Sequence, residues 1–175
     1  MSILSLVTAL IGLNFAAAEP LPVICAAVQC TEKMQAIERG LYGGTNVDRA
    51  ELPAVYSGEC FHLSPSYNPN HTHYGMTFLE TRGSEIFFNG SFGFFYSENP
   101  WANWTVEDAR KKTPNPYKFP TEEFENYSYI DWGQNEPGVI WKHWLSQDPQ
   151  TKTIYLVSFW GFTQQSFCEL KPNRK

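Results

Sequence analysis

Two closely spaced hydrophobic runs stand out near the C-terminal end of the chain, at residues 139–145 and 153–162. Both are rich in β-branched and aromatic residues, and a polar connection containing Pro149 separates them. This pattern predicts two antiparallel strands joined by a loop. In the second run, apolar residues occupy both alternating faces, and Ser158 is the lone polar residue on one of them. A strand that is apolar on both faces belongs in a closed barrel or a sandwich, or it lines an apolar pocket.

The other predicted strands are short and are separated by turn signals. Residues 85–96 contain Asn89-Gly90 between aromatic runs, which predicts a tight hairpin because both residues tolerate positive φ. Residues 105–110 are either a strand or a short helical turn. Seven or eight short strands predict an all-β, mainly antiparallel fold, either a barrel or a sandwich. The further predicted strands cover residues 54–63, 72–81 and 127–132.

A single segment is predicted to be helical. Residues 23–39 place apolar side chains on one rough face, and Gly40 is expected to end the helix. Residues 41–53 read as a loop. The predicted organisation is therefore a helical lead-in at 19–40, a β-barrel domain at 41–170 and a polar tail at 171–175.

The first 18 residues are predicted to be a secretory signal peptide, with a retained signal anchor as the alternative. Residues 3–15 form an apolar core, and Ala16-Ala17-Ala18 supplies the small residues of a cleavage site. The core is too short for a transmembrane helix. Cleavage would leave 157 of the 175 residues with the full net charge of −5, because residues 1–18 carry no Asp, Glu, Lys or Arg. We therefore expect a secreted, extracellular protein with no membrane span, and a mildly acidic chain argues against nucleic acid as a partner.

Four Asn-x-Ser/Thr sequons agree with export, since N-glycosylation requires this motif on the surface of a secreted chain. A glycoprotein is therefore expected. The acceptor asparagines are Asn70, Asn89, Asn103 and Asn126.

Four cysteines follow the signal peptide, and an even number in an oxidising compartment implies two disulfides. The sequence leaves all three pairings open. On a straight helix Cys25 and Cys30 would point apart, so either each pairs elsewhere or the segment is not one helix. The cysteines are Cys25, Cys30, Cys60 and Cys168.

Metal and cofactor sites receive little support from the sequence. His71 and His73 would face the same side of a strand, as in a β-barrel metal site, but Thr77 stands where a carboxylate ligand is needed. We therefore expect two solvated loop histidines, and we predict no metal and no other cofactor.

Acidic pairs are the remaining catalytic candidates. A glycosidase needs two carboxyl groups facing each other across a cleft, but an acidic domain offers such pairs by chance, and a solvated acidic edge is the simpler interpretation. Serine-hydrolase, zinc-protease and phosphate-loop motifs are absent from the sequence. The acidic candidates are Glu107, Asp108, Glu122, Glu123, Glu125 and Asp131.

Aromatic residues make up 16% of the chain, and all six tryptophans lie in its second half. Three uses compete: a packed core, the lining of an internal apolar cavity, or an exposed platform for sugars or a protein partner. The tryptophans are Trp101, Trp104, Trp132, Trp141, Trp144 and Trp160.

The overall plan resembles that of a lipocalin or another calycin. The resemblance covers residues 40–170: a strand carrying Cys60 comes early, and Cys168 follows the last predicted strand, where lipocalins often place a long-range disulfide. Tyr42 stands where the family's Gly-x-Trp motif has tryptophan. The resemblance implies a β-barrel that binds a lipid, a pigment or a similar molecule.

The favoured hypothesis is accordingly a secreted, non-enzymatic β-barrel that binds a small hydrophobic or amphipathic ligand in its interior. Aromatic side chains of the late strands are the ligand-binding candidates. They are Trp141, Tyr155, Phe159 and Trp160.

Two other hypotheses stay open. The second is an extracellular interaction module that recognises a glycan or a protein through exposed Trp101, Trp104 and Trp132. The third is a hydrolase or metal-dependent enzyme, which needs convergent carboxylates or the pair of His71 and His73.

Overall fold

The computed structural model describes residues 24–26, 28–63, 72–83, 85–93, 98–112, 122–124, 127–131, 141–160 and 164–173. The predicted signal peptide lies outside this part of the chain. So do His71, Trp132 and the sequon residues Asn70 and Asn126.

The architecture is one eight-stranded antiparallel sheet with two short α-helices on its outer face, which confirms the predicted all-β class. The strand order is β3-β2-β1-β8-β7-β6-β5-β4. Six longer strands curl into a half-barrel, and the short β4 and β5 extend it beyond β6. The strands are β1 (Ala54–His62), β2 (His73–Arg82), β3 (Glu85–Gly93), β4 (Glu122–Phe124), β5 (Tyr127–Asp131), β6 (Trp141–Gln147), β7 (Ile154–Trp160) and β8 (Gln164–Pro172).

The curl of the sheet is visible in one contact across its concave side. Phe88 lies on β3 and His143 on β6, five steps apart in the strand order, yet their ring centroids are 5.5 Å apart. The side chains of this inner face form one buried cluster that draws on all six longer strands. Among the described strands, β3 and β4 end the order and are not paired with each other.

The hairpin predicted from the two late hydrophobic runs is confirmed. β6 and β7 pair in antiparallel register, with Trp144 opposite Val157. The sequence did not predict β8, which contains Cys168; the cysteine therefore lies within the last strand and does not follow it. β8 pairs with both β1 and β7, so it is a central strand of the sheet.

The predicted turn at Asn89-Gly90 is wrong. Both residues lie inside β3, opposite Phe78 and Thr77 of β2. The hairpin turns instead around Gly83, whose φ of 65° is the left-handed conformation that glycine adopts without a steric penalty. A turn at Gly83 lets every residue of β3 pair with β2, from Tyr74 to Arg82, which a turn at Asn89-Gly90 would not allow.

The predicted helix is shifted along the chain. Helix α1 spans Glu32–Gly43, and the Thr31 side chain caps it by accepting a hydrogen bond from the Met34 amide. Cys25 and Cys30 form a disulfide in the segment before the helix. The expectation that they pair elsewhere is therefore wrong, and the alternative that the segment is not one helix is correct.

Gly40 does not end α1, contrary to the prediction. A Cβ atom there would lie 2.6 Å from the ring of Tyr155 on β7, so the helix needs a glycine at this point of close contact with the sheet. The apolar side of α1 packs on β6, β7 and β8 through a cluster that includes Ile37, Leu41, Val157 and Phe167.

A second helix covers another part of the outer face. Helix α2 spans Val106–Lys112, which resolves the ambiguity at residues 105–110 in favour of helix. Ala109 of α2 and Trp101 before it pack with Val55, Met76 and Phe78 from β1 and β2. The two helices therefore shield the apolar outer residues of different strands.

One end of the inner face is closed by the segment after α1. Val47 packs into the inner cluster, and the backbone of Thr45 pairs with that of Gln147. The Gln147 side chain accepts a hydrogen bond from the Asp48 amide at 2.8 Å and donates one to the Tyr56 hydroxyl at 3.3 Å. A short 3-10 turn, Arg49–Glu51, follows. Residues 45–52, which were predicted as a loop, thus close this end of the inner face and are held to the sheet by hydrogen bonds. We call this segment the plug.

The second disulfide joins Cys60 of β1 to Cys168 of β8, which are paired directly across the two strands. No helix in the described part of the chain is long and apolar enough to cross a bilayer.

Candidate functional site

A row of polar side chains crosses the inner face at the end opposite the plug. His143 on β6 is paired with Ser158 on β7, Ser158 with Ser166 on β8, and Ser166 with His62 on β1. These four residues thus occupy successive positions across four neighbouring strands. His73, at the start of β2, continues the row, because its ring centroid lies 4.8 Å from that of His62. We call these five residues the histidine–serine row.

Hydrogen bonds join the row in pairs. The Nδ1 atom of His143 lies 2.7 Å from the Ser158 hydroxyl, and the Nδ1 atom of His62 lies 2.6 Å from the Ser166 hydroxyl. His143 and Ser158 are fully buried, and His73 and Ser166 are nearly so. Buried polar groups cost free energy unless they are paired, so these bonds are what allow hydroxyls and imidazoles inside the sheet.

The environment keeps the imidazoles of His62 and His143 uncharged. Burial lowers the pKa of His143 to about 3. Burial, together with the nearby His73, lowers the pKa of His62 to about 4. Neutral imidazole and hydroxyl groups can each donate and accept a hydrogen bond. The two histidine–serine pairs of the row therefore offer hydrogen-bonding groups without a formal charge.

The row adjoins apolar surface. Phe88 lies against His143, and the Cys60–Cys168 disulfide and Leu156 belong to the same inner cluster. Thr77 on β2 is also fully buried, and its hydroxyl has no hydrogen-bond partner among the described residues. The inner face is thus apolar around the plug and becomes polar toward its other end.

The expectation of a solvated His73 is wrong, because this residue is 4% exposed and lies on β2. In the described part of the chain, no group of three or more His, Cys, Asp or Glu residues is arranged to hold a metal ion. His71 lies outside the described residues.

The four aromatic ligand-binding candidates all lie on β6 and β7. Trp141 and Trp160 are paired in register, two residues along their strands from His143 and Ser158. Phe159 is a neighbour of that pair in β7, and only the backbone is described for these three. Tyr155 packs its ring against Gly40 of α1, on the outer face of β7. The ligand-binding role of the four residues stays a prediction.

Two of the tryptophans proposed for an exposed platform are packed against the sheet. Trp101 is 8% exposed, and Trp104 is half-buried with Lys112 Nζ 4.9 Å from its ring centroid. Trp101 therefore cannot present its ring to a partner on the surface.

The acidic candidates of α2 have local structural roles. Asp108 accepts hydrogen bonds from the Thr105 amide and hydroxyl at the helix start, and these bonds lower its pKa. Glu107 forms an exposed ion pair with Lys111. Glu122, Glu123 and Asp131 lie in β4 and β5, where only the backbone is described, and Glu125 lies outside the described residues.

The sequence pointed to His73 only as half of a metal pair and to Ser158 only as a lone polar residue, and it did not indicate His62, His143 or Ser166 as parts of a site. The sequence carried little signal for His143 and Ser166, because β6 and β8 each contain several other polar residues. Without the register, nothing in the sequence shows that these residues are neighbours.

Comparison of the chain with models of protein families, with curated proteins and with solved structures finds no match. The function has to be argued from the site alone.

Proposed function

We propose that this protein is a secreted glycoprotein with a lipocalin-like mode of action, binding a small amphipathic ligand against the inner face of its sheet. The observation that carries the proposal is the histidine–serine row at one end of a largely apolar inner face. An apolar core alone has no need of four buried polar side chains and a partly buried fifth, His62, each of which costs desolvation on folding. A binding site, in contrast, uses a few placed polar groups within apolar walls to orient a ligand.

The distribution of polar and apolar residues on the inner face indicates how a ligand would be oriented. The plug formed by residues 45–52 closes one end, with Val47 and Gln147 buried there. The row lies at the other end, where the connections β1–β2, β5–β6 and β7–β8 leave the strands. The polar end of the ligand would form hydrogen bonds with the row. Its apolar part would contact Phe88 and the aromatic residues of β6 and β7.

The row also indicates the kind of polar group that it would bind. His62 and His143 are neutral at physiological pH because burial lowers their pKa values. A charged ligand group would lose its hydration without gaining an opposite charge. A neutral group, such as a hydroxyl, a carbonyl or an amide, satisfies the row at the lowest cost.

The same pKa values argue against a role of these histidines as general bases in catalysis. A general base works best when its pKa is near the operating pH, and imidazoles with a pKa of about 3 or 4 are weak bases. The serine–histidine pairs are therefore better suited to holding a ligand than to activating a nucleophile.

Native mass spectrometry tests the proposal directly. The protein would be purified from a eukaryotic secretion host, freed of glycans, and compared in its native and denatured, unreduced forms. We expect an excess mass that is lost on denaturation. The variant Ser158→Ala/Ser166→Ala should reduce it, and the control Ser146→Ala should retain it, because Ser146 is equally buried but bonds to Gly40 of α1 on the outer face.

Binding of defined probes gives a second readout. Dodecanol, dodecylamine and dodecanoate share one chain and differ in charge, and we expect dodecanol to bind at least tenfold more tightly than the two charged probes. Equal or tighter binding of a charged probe would contradict the neutral-ligand assignment. No excess mass and no binding of any of the three would overturn the proposal in favour of the interaction module, and an excess equal to a metal ion would favour a metal site.

A further inference from the structure

A cavity lies beside the plug, where β1 begins and β8 ends. It has a volume of about 440 Å³, is partly open to solvent, and lies between the start of β1, the start of α2 and the end of β8. This volume is within the range of about 300–1,000 Å³ that is typical of small-molecule sites. Its walls are mainly apolar, formed by Pro53, Val55, Tyr56, Trp104, Val106 and Pro172.

The polar side chains around this cavity are already bonded within the protein. The amide nitrogen of Asn173 donates to the carbonyl oxygens of Trp101 and Trp104, and its amide oxygen accepts from Ser57. The Tyr56 hydroxyl accepts from Gln147. An occupant therefore finds apolar surface and few polar groups that require a new partner.

The charged groups at the rim are likewise engaged. Lys152 forms an ion pair with Asp48 at 3.1 Å, and Glu107 forms one with Lys111 at 2.6 Å. Recruiting either charge to a ligand would break an existing pair. Glu51 at the rim is exposed to solvent, so its carboxylate keeps its hydration.

We propose that this lateral cavity is a binding site for a small, uncharged, lipophilic molecule with a ring system, distinct from the site on the inner face. The half-buried indole of Trp104 provides a flat contact surface. Affinity would come from burial of apolar surface, since the surrounding polar groups are satisfied. The site does not depend on the histidine–serine row, so it stands or falls separately from the proposed function.

Valine methyl groups report on the location of binding. Val55 and Val106 line the lateral cavity, whereas Val47 lies in the inner cluster and Val157 lies under α1. The probe is the neutral fluorophore N-phenyl-1-naphthylamine, titrated into full-length protein carrying 13C-methyl valine. We expect the Val55 and Val106 resonances to shift while those of Val47 and Val157 stay in place.

A cavity-filling variant supplies the matched control. Val106→Trp fills the cavity from α2 and should weaken probe binding at least tenfold, whereas Val28→Trp makes the same substitution at an exposed position before α1 and should leave it unchanged. Shifts confined to Val47 would assign the probe to the inner face and overturn the lateral site. Saturable binding with no shift at Val55 or Val106, or no binding at all, would also overturn it. The methyl titration is carried out on the wild-type chain, so it tests the site even if Val106→Trp fails to fold.

Discussion

The Oγ atom of Ser158 lies 2.7 Å from the Nδ1 atom of His143, and neither residue is exposed to solvent. Removal of the hydroxyl leaves a buried ring nitrogen without this partner. We expect Ser158→Ala to lower the free energy of unfolding by about 1–3 kcal/mol. Urea denaturation of the variant and of wild type measures the difference.

Ser146→Ala is the control for this prediction. Ser146 is on the same strand hairpin and is fully buried, but its longer bond of 3.3 Å goes to a backbone carbonyl of α1. We expect a loss near the low end of the same range, about 1 kcal/mol. If both variants lose the same free energy of unfolding, the Ser158–His143 bond stabilises the fold no more than the Ser146–Gly40 bond does.

The lowered pKa values of His62 and His143 predict a stability that falls in mild acid. Their folded pKa values of about 4 and about 3 lie below the ordinary value of 6.5, so the unfolded chain binds more protons between these limits. The contribution of these two histidines to the free energy of unfolding is therefore fully present above pH 6.5 and is lost as the pH falls toward 4. Since one pKa unit corresponds to about 1.4 kcal/mol, we expect a loss of several kcal/mol across this range.

Urea unfolding at pH 7, 6, 5 and 4 measures that slope. The lowered pKa values of Asp48, Asp108 and Asp148 act in the same direction but only below about pH 4, so they do not account for a decline above it. His143→Gln should flatten the slope. An unchanged slope in this variant would show that His143 titrates normally.

Gly40 and Tyr155 define the closest approach of α1 to the sheet. Gly40→Ala would place a Cβ atom 2.6 Å from the Tyr155 ring, and we expect it to destabilise the protein by about 1–3 kcal/mol even though alanine favours helix. The control is Gly43→Ala at the end of the same helix, where a Cβ atom has no neighbour within 4 Å. That substitution should be neutral or slightly stabilising.

Thermal unfolding distinguishes the two glycine variants. A second substitution, Tyr155→Leu, should restore part of the stability lost by Gly40→Ala, because it removes the ring that the new methyl group meets. A stable Gly40→Ala protein would mean that α1 can shift away from β7 at little cost.

The two disulfides close loops of very different length. Cys60 and Cys168 are 108 residues apart in sequence, and Cys25 and Cys30 are five apart. On the loop-entropy relation, removal of the first pair by alanine substitution should cost roughly 5 kcal/mol and removal of the second roughly 2 kcal/mol. Urea unfolding under non-reducing conditions compares the variants, and a larger loss for the short loop would show that the N-terminal segment anchors α1 more strongly than this relation allows.

Much of the strand content followed from the sequence because hydrophobic alternation is a local property. The hairpin of β6 and β7, the strands β1, β2 and β5, and the two faces of β7 were all predicted from residues close together in the chain. β8 was missed because Gln164, Gln165 and Lys171 make its pattern polar at both ends. The predicted bounds of the helix were wrong because helix propensity is a local property. It does not include the Cys25–Cys30 disulfide before the helix or the contact of Gly40 with Tyr155 of the sheet.

The sequence by itself determined the number of cysteines, the apolar late strands and the position of Ser158 among apolar neighbours. Only the tertiary structure decided that Ser158 meets His143, that Ser166 meets His62, and that these pairs form one row. His62 and Ser166 are 104 residues apart in the chain. Their meeting depends on the register of β1 with β8, and a shift of one residue in either strand would turn every side chain of that strand to the opposite face.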